Sequence, residues 1–205
     1  MIEKPEDNIP EQREGTAVDV DDTVTLPSEA EAKTFFQQVK SRLLNINAWH
    51  QFAGALSADF ALTDKKGNAL ERKPAVGDYF KINIPAPGIQ TGEGYDWVRI
   101  EEIKEEAEGM DEWASIRVRP TSSPVNNNHD VAHFYTDDAT SNFIVKREGV
   151  NVTAGVYGRN EIPNVKEADS LLDKARNAIV GTGGVTMFSK LQWKALVNGL
   201  LEEKK

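Results

Sequence analysis

The sequence predicts an α+β fold, with one antiparallel sheet of about seven strands covered on its apolar face by a long C-terminal helix. Two observations carry this. Between residues 57 and 158, six segments are built on period-two alternation or β-branched and aromatic runs, and short polar links or loops separate them. Stripes at helical spacing stand at the two ends, over 28–44 and from Val165 onward. A meander of strands between terminal helical regions is the signature of α+β folds, not of an alternating parallel sheet. Such a sheet has one apolar face to bury, and the C-terminal stretch, apolar over a wide arc, is its natural cover.

The elements follow in order. Residues 1–16 are rich in Glu, Asp, Pro and Gln and are expected to form a flexible acidic tail, too poor in apolar surface to offset its ordering entropy. Residues 17–205 are expected to form a single domain. TAVDVDDTVTL supplies β-branched residues, but its aspartates suit an edge strand. Pro27 ends that strand. Ser28 and Glu31 have the spacing of a capping box, and Phe35, Phe36, Val39, Leu43 and Leu44 recur at helical spacing behind them. The cluster Trp49-His50-Gln51-Phe52 reads as a turn or a short second helix.

SADFALTD is the next strand. In GDYFKINIP, Phe80, Ile82 and Ile84 face one way. In DWVRIEEI, Val98 and Ile100 oppose Trp97, Arg99 and Glu101. In EWASIRVRP, Ala114, Ile116 and Val118 oppose Trp113, Arg117 and Arg119. A polar loop over 120–133 leads to SNFIVKRE and NVTAGVYG, joined by a tight turn near Gly149. The C-terminal helical stretch is interrupted by Gly181, Gly183 and Gly184.

Composition excludes several functions. A net charge of −9 argues against a general polyanion binder, so no nucleic-acid partner is expected. Without cysteine there are no disulfides, thiolate nucleophiles or Cys-ligated metals. No apolar run is long enough for a membrane-spanning helix. The N-terminus lacks a basic start and an apolar stretch, so a cytoplasmic location is expected.

Short motifs carry little. Asp19-Val20-Asp21-Asp22-Thr23 fits a DxDxT phosphatase pattern, but no strong apolar strand precedes it and no acidic magnesium motif follows. It reads as an exposed acidic edge strand. His129 and His133 stand four apart in a polar loop without helical periodicity, so no metal site is expected. No GxSxG elbow occurs.

On TVTLPSEAEAKTFFQQV, the following Trp49 and the element order over 16–203, the chain resembles the START-like, Bet v 1-like (SRPBCC) superfamily. These are helix-grip proteins and include polyketide cyclases. The resemblance implies a curved antiparallel sheet gripping the C-terminal helix, with a cavity between them for a hydrophobic or amphipathic molecule and no cofactor. Residues expected to line that cavity are Trp49, Phe80, Ile82, Val98, Ile100, Ile116, Phe143 and Phe188. A cyclase- or hydratase-type enzyme on the same scaffold would need titratable groups inside the cavity, and His50, His133, Tyr135 and Asp96 are the candidates. A protein-interaction module similar to the co-chaperones of this fold would instead show an exposed patch of Trp97, Trp113 and the arginines. Were the sheet faces reversed, the same arginines would bind a carboxylate in the pocket.

Overall fold

The computed structural model describes residues 3–54, 58–83, 92–164 and 184–202. Strands β1 (Thr16–Thr25), β2 (Asp59–Thr63), β3 (Tyr79–Asn83), β4 (Asp96–Glu108), β5 (Asp111–Pro120), β6 (Thr140–Glu148) and β7 (Asn151–Glu161) form one sheet. Its order is β1-β7-β6-β5-β4-β3-β2, and every neighbouring pair is antiparallel. Helix α1 (Glu29–Leu43) follows β1, a short helix α2 (Trp49–Ala53) precedes β2, and α3 (Gly184–Leu201) ends the chain.

The α1 start is built as its sequence requires. The Ser28 hydroxyl accepts the Glu31 N–H at 3.3 Å and donates to the Glu31 carboxylate at 2.9 Å. Ala32, Phe35, Phe36, Val39 and Leu43 are its buried face. Two-residue turns at Gly109-Met110 and Gly149-Val150 close the β4–β5 and β6–β7 hairpins. Gly109 and Gly149 both have positive φ there, 63° and 60°.

Phe80, Ile82, Val98, Ile100, Ile116, Val118, Phe143 and Val145 point from the inner face into one apolar core with α1 and α3. Trp49 is fully buried at its centre. Its indole N–H donates to the Leu43 carbonyl at 3.0 Å, and its ring lies 4.7 to 5.8 Å from those of Phe143, Phe60 and Phe80. The expected helical segment between 165 and 183, its glycine break and Ile84 lie outside the described residues.

Two bulges shift the alternation. In β4, Ile100 pairs with Val118 but Glu102 pairs with Arg117, so Glu101 is the extra residue and Ile103 turns back toward the core. In β7, Gly158 pairs with Val18 and Glu161 with Thr16, three steps against two. Asn160 sits in the bulge at φ 55°.

The N-terminal segment differs from the expected free tail. Residues Pro5–Asn8 form a turn of 3-10 helix on the outer face of the sheet. There the Trp113 indole donates to the Glu3 carbonyl at 2.8 Å, Lys146 meets the Glu6 carboxylate at 2.7 Å, and Arg117 donates to the Asn8 carbonyl at 3.0 Å. Lys104 also donates to the Asn8 side chain. Further on, the Asn160 side-chain oxygen accepts from the Arg13 and Glu14 backbone. The segment has little apolar surface of its own. Its order comes from cations and an indole that the sheet presents to it.

That arrangement overturns the exposed Trp–Arg patch. Trp113 lies beneath the N-terminal segment and is 3% exposed. Trp97, 2% exposed, is covered by the turn at Gly92 and the loop at Ala132, which take its indole and backbone N–H groups. The arginines do stand on the outer face, as the alternation placed them. Arg119 pairs with Glu101 at 2.6 Å and Arg117 with Glu102 at 3.2 Å. They therefore do not serve an inner pocket.

Candidate functional site

A cavity lies on the inner face between β2–β6 and α3. Phe60, Phe80, Ile82, Val98, Val118, Phe143 and Trp193 form its apolar wall, while His133, Tyr135, Ser141, Glu161, Ser189 and Gln192 add polar groups. Its volume is about 40 Å³. That is space for on the order of three water molecules, well below the several hundred Å³ of a typical ligand pocket. The aromatic rings account for the small size. Trp193 lies 5.3 Å from Phe143 and 6.4 Å from Phe60, centroid to centroid, and fills much of the gap between helix and sheet.

The polar groups are placed by backbone pairing. Tyr135 forms an isolated bridge with Pro163, the Thr136 N–H donates to the Ile162 carbonyl at 2.9 Å, and the Asn164 N–H donates to Phe134 at 2.8 Å. The loop before β6 is thereby clamped to the end of β7. His133 accepts the Tyr135 N–H on Nδ1 at 3.0 Å, which leaves the ring proton on Nε2, and its ring stacks on Phe134 at 4.2 Å. The β7 bulge then turns Glu161 inward. Its carboxylate folds over Gly158, where a Cβ would overlap it.

Glu161 is 2% exposed, and its Oε2 has no hydrogen-bond partner. Among the described residues no ion pair includes it. Arg159 is committed elsewhere, to Asp19 at 2.5 Å and the Gly158 carbonyl at 2.7 Å. Burial pushes the Glu161 carboxyl up to about 7, against the opposing pull of the Tyr135 hydroxyl, Lys190 and Arg159. A carboxyl so placed can hold or release a proton near neutrality.

Of the residues expected in the cavity, Phe80, Ile82, Val98 and Phe143 line it. Trp49, Ile100 and Ile116 are packed in the core behind it, and the Phe188 side chain lies outside the described residues. Of the titratable candidates, His133 and Tyr135 reach the cavity. His50 is on α2 and the buried Asp96 begins β4 opposite Ile82; neither is among the lining residues. Glu161 was not among the candidates. Its one sequence signal is that it is the lone acidic residue of β7.

A seven-stranded antiparallel meander whose first strand joins the last, with the C-terminal helix against its inner face, decides the architecture. The fold is a helix-grip. No protein-family model and no curated protein matches the sequence. Among solved structures, the helix-grip chain is similar to a hypothetical protein from Helicobacter pylori at 14% identity and TM-score 0.48, over 98% of this chain and 94% of that one. It is also similar to a START superfamily protein from Mycobacterium smegmatis (10% identity, TM-score 0.33, 87% and 98% covered). A third is a truncated norcoclaurine synthase from Thalictrum flavum (10%, TM-score 0.37, 95% and 100%). No helix among the described residues is long and apolar enough to cross a membrane.

Proposed function

We propose that this protein binds a small molecule with an apolar body and one polar group in the cavity between sheet and α3. The observation that carries this reading is Glu161, a buried acid facing an aromatic-walled space with an oxygen left unbonded. An unsatisfied buried polar atom is costly, and proteins retain one where a ligand completes it. Occupancy requires the Trp193 ring to give way. Trp193 is half-buried on α3, so a swing toward solvent opens room and gives up its ring contacts with Phe60 and Phe143.

Calorimetric titration with benzyl alcohol tests the cavity. Trp193→Ala is expected to raise its affinity about tenfold, because the added volume is apolar and ring-shaped. Val118→Trp is expected to abolish binding by filling the same space. Absence of binding to both wild type and Trp193→Ala would sink the reading.

A second reading is favoured by the same acid. Glu161, titrating near neutrality in one cavity with Tyr135 and His133, has the proton affinity of a general base at physiological pH. A cyclase- or hydratase-type proton transfer would then fall to Glu161, with Tyr135 donating to the developing oxyanion. Loss of turnover in Glu161→Gln with ligand binding retained would distinguish enzyme from carrier.

A further inference from the structure

The cavity joins two features that bear on what kind of polar group it takes. One is a carboxylate nine-tenths and more buried with no resident cation paired to it among the described residues. The other is a wall of aromatic rings from Phe60, Phe80, Phe143 and Trp193. A buried carboxylate has two ways to avoid the cost of an unpaired charge: it takes up a proton, or it takes a counter-ion. Aromatic faces attract cations and add nothing for anions.

We infer that the ligand class is an organic ammonium, its charged nitrogen against Glu161 and its apolar body among the aromatic rings. The inference rests on the cavity-binding reading above and narrows it. The exchange balances in charge: protonated Glu161 loses its proton to solvent, and the ammonium, which keeps all of its own, replaces it as the partner of the carboxylate. Groups facing Glu161 from the surrounding elements are Tyr135 and His133 on the loop before β6, Arg159 on β7 and Lys190 on α3. Tyr135 supplies a donor to the ionised form. His133 is held with Nδ1 as acceptor, and Arg159 is occupied by Asp19. Lys190 is exposed on α3 and forms no ion pair with Glu161 among the described residues, so none of the four provides the missing pair.

Benzylamine and benzyl alcohol differ little in shape and differ in charge. Calorimetry with each, at pH 6 and pH 8 and in buffers of different ionisation enthalpy, tests the inference on wild type and Glu161→Gln. Benzylamine should bind wild type about tenfold tighter at pH 8 than at pH 6, as Glu161 empties of its proton over that range. Close to one proton should be released per ligand at pH 6. Glu161→Gln should bind benzylamine weakly, no tighter than it binds benzyl alcohol, and without pH dependence. Binding of benzyl alcohol alone, or benzylamine binding that is pH-independent or unaffected by Glu161→Gln, overturns the ammonium inference and leaves the cavity reading standing. Binding of neither probe to wild type or to Trp193→Ala overturns both.

Discussion

At the scale of the residue, Glu161 dominates, and it carries a stability consequence. Its carboxyl titrates near 4.5 when solvated and at about 7 in the folded protein. Between those values the folded state holds more protons than the unfolded state, so this group's contribution to stability is complete below about 4.5. It is lost as pH rises through 7 and stays constant above that. The size is on the order of 3 kcal/mol at about 1.4 kcal/mol per pH unit. Glu161→Gln removes that loss. Urea denaturation of both proteins from pH 4.5 to pH 8 should show wild type losing ground to the variant across this window. Curves that run parallel would show the carboxyl to be solvated. None of this was legible by alternation. Period two through Val152, Ala154 and Val156 points 158 and 160 inward and 161 outward, and the bulge at Asn160 reverses that. A bulge depends on a left-handed residue and on the partner strand, neither of which the pattern of apolar residues encodes.

At the scale of the element, local signals were readable wherever a segment's own residues determine its conformation. The α1 cap, its apolar stripe, the paired hairpins and the inner faces of β3 to β5 all stand where spacing placed them. The N-terminal segment was not readable, because its order derives from partners more than a hundred residues away, Trp113 and Lys146 among them. This makes the segment a clasp of polar contacts over the outer face, with Pro5 its buried point. Such a clasp opens when its charge pair is reversed. Glu6→Lys should therefore uncover Trp113 and raise the share of its fluorescence quenched by acrylamide severalfold, with the far-UV spectrum unchanged. In a Trp113→Phe background the same substitution should have no effect on quenching. Unaltered quenching in the first case would mean that the segment does not shield the indole in solution.

At the scale of the molecule, sheet and helices are held in register by contacts that leave no slack on one side and a small cavity on the other. The tight side is where α3 meets α2. A Cβ at Gly199 would overlap the carbonyl oxygen of Phe52. Leu196, Val197, Leu200 and Leu201 are all buried around that contact, and Arg42 donates to the Leu200 and Glu202 carbonyls at 2.7 Å, fixing the end of the helix. Trp193 and Ser189 lie one and a half to three turns earlier on the same helix and border the cavity. A displacement at Gly199 is thus transmitted along a rigid rod to the cavity wall. Gly199→Ala gains helix propensity, roughly 1 kcal/mol, but must push backbone away from backbone, a cost on the order of 1–3 kcal/mol for an overpacked contact. The steric cost should win, so chemical denaturation should show a net loss of stability. The same variant should also change benzyl alcohol affinity although residue 199 touches no part of the cavity. A neutral or stabilised Gly199→Ala with unchanged affinity would mean that α3 is free to shift against α2, and that the cavity's size is set by its lining side chains alone.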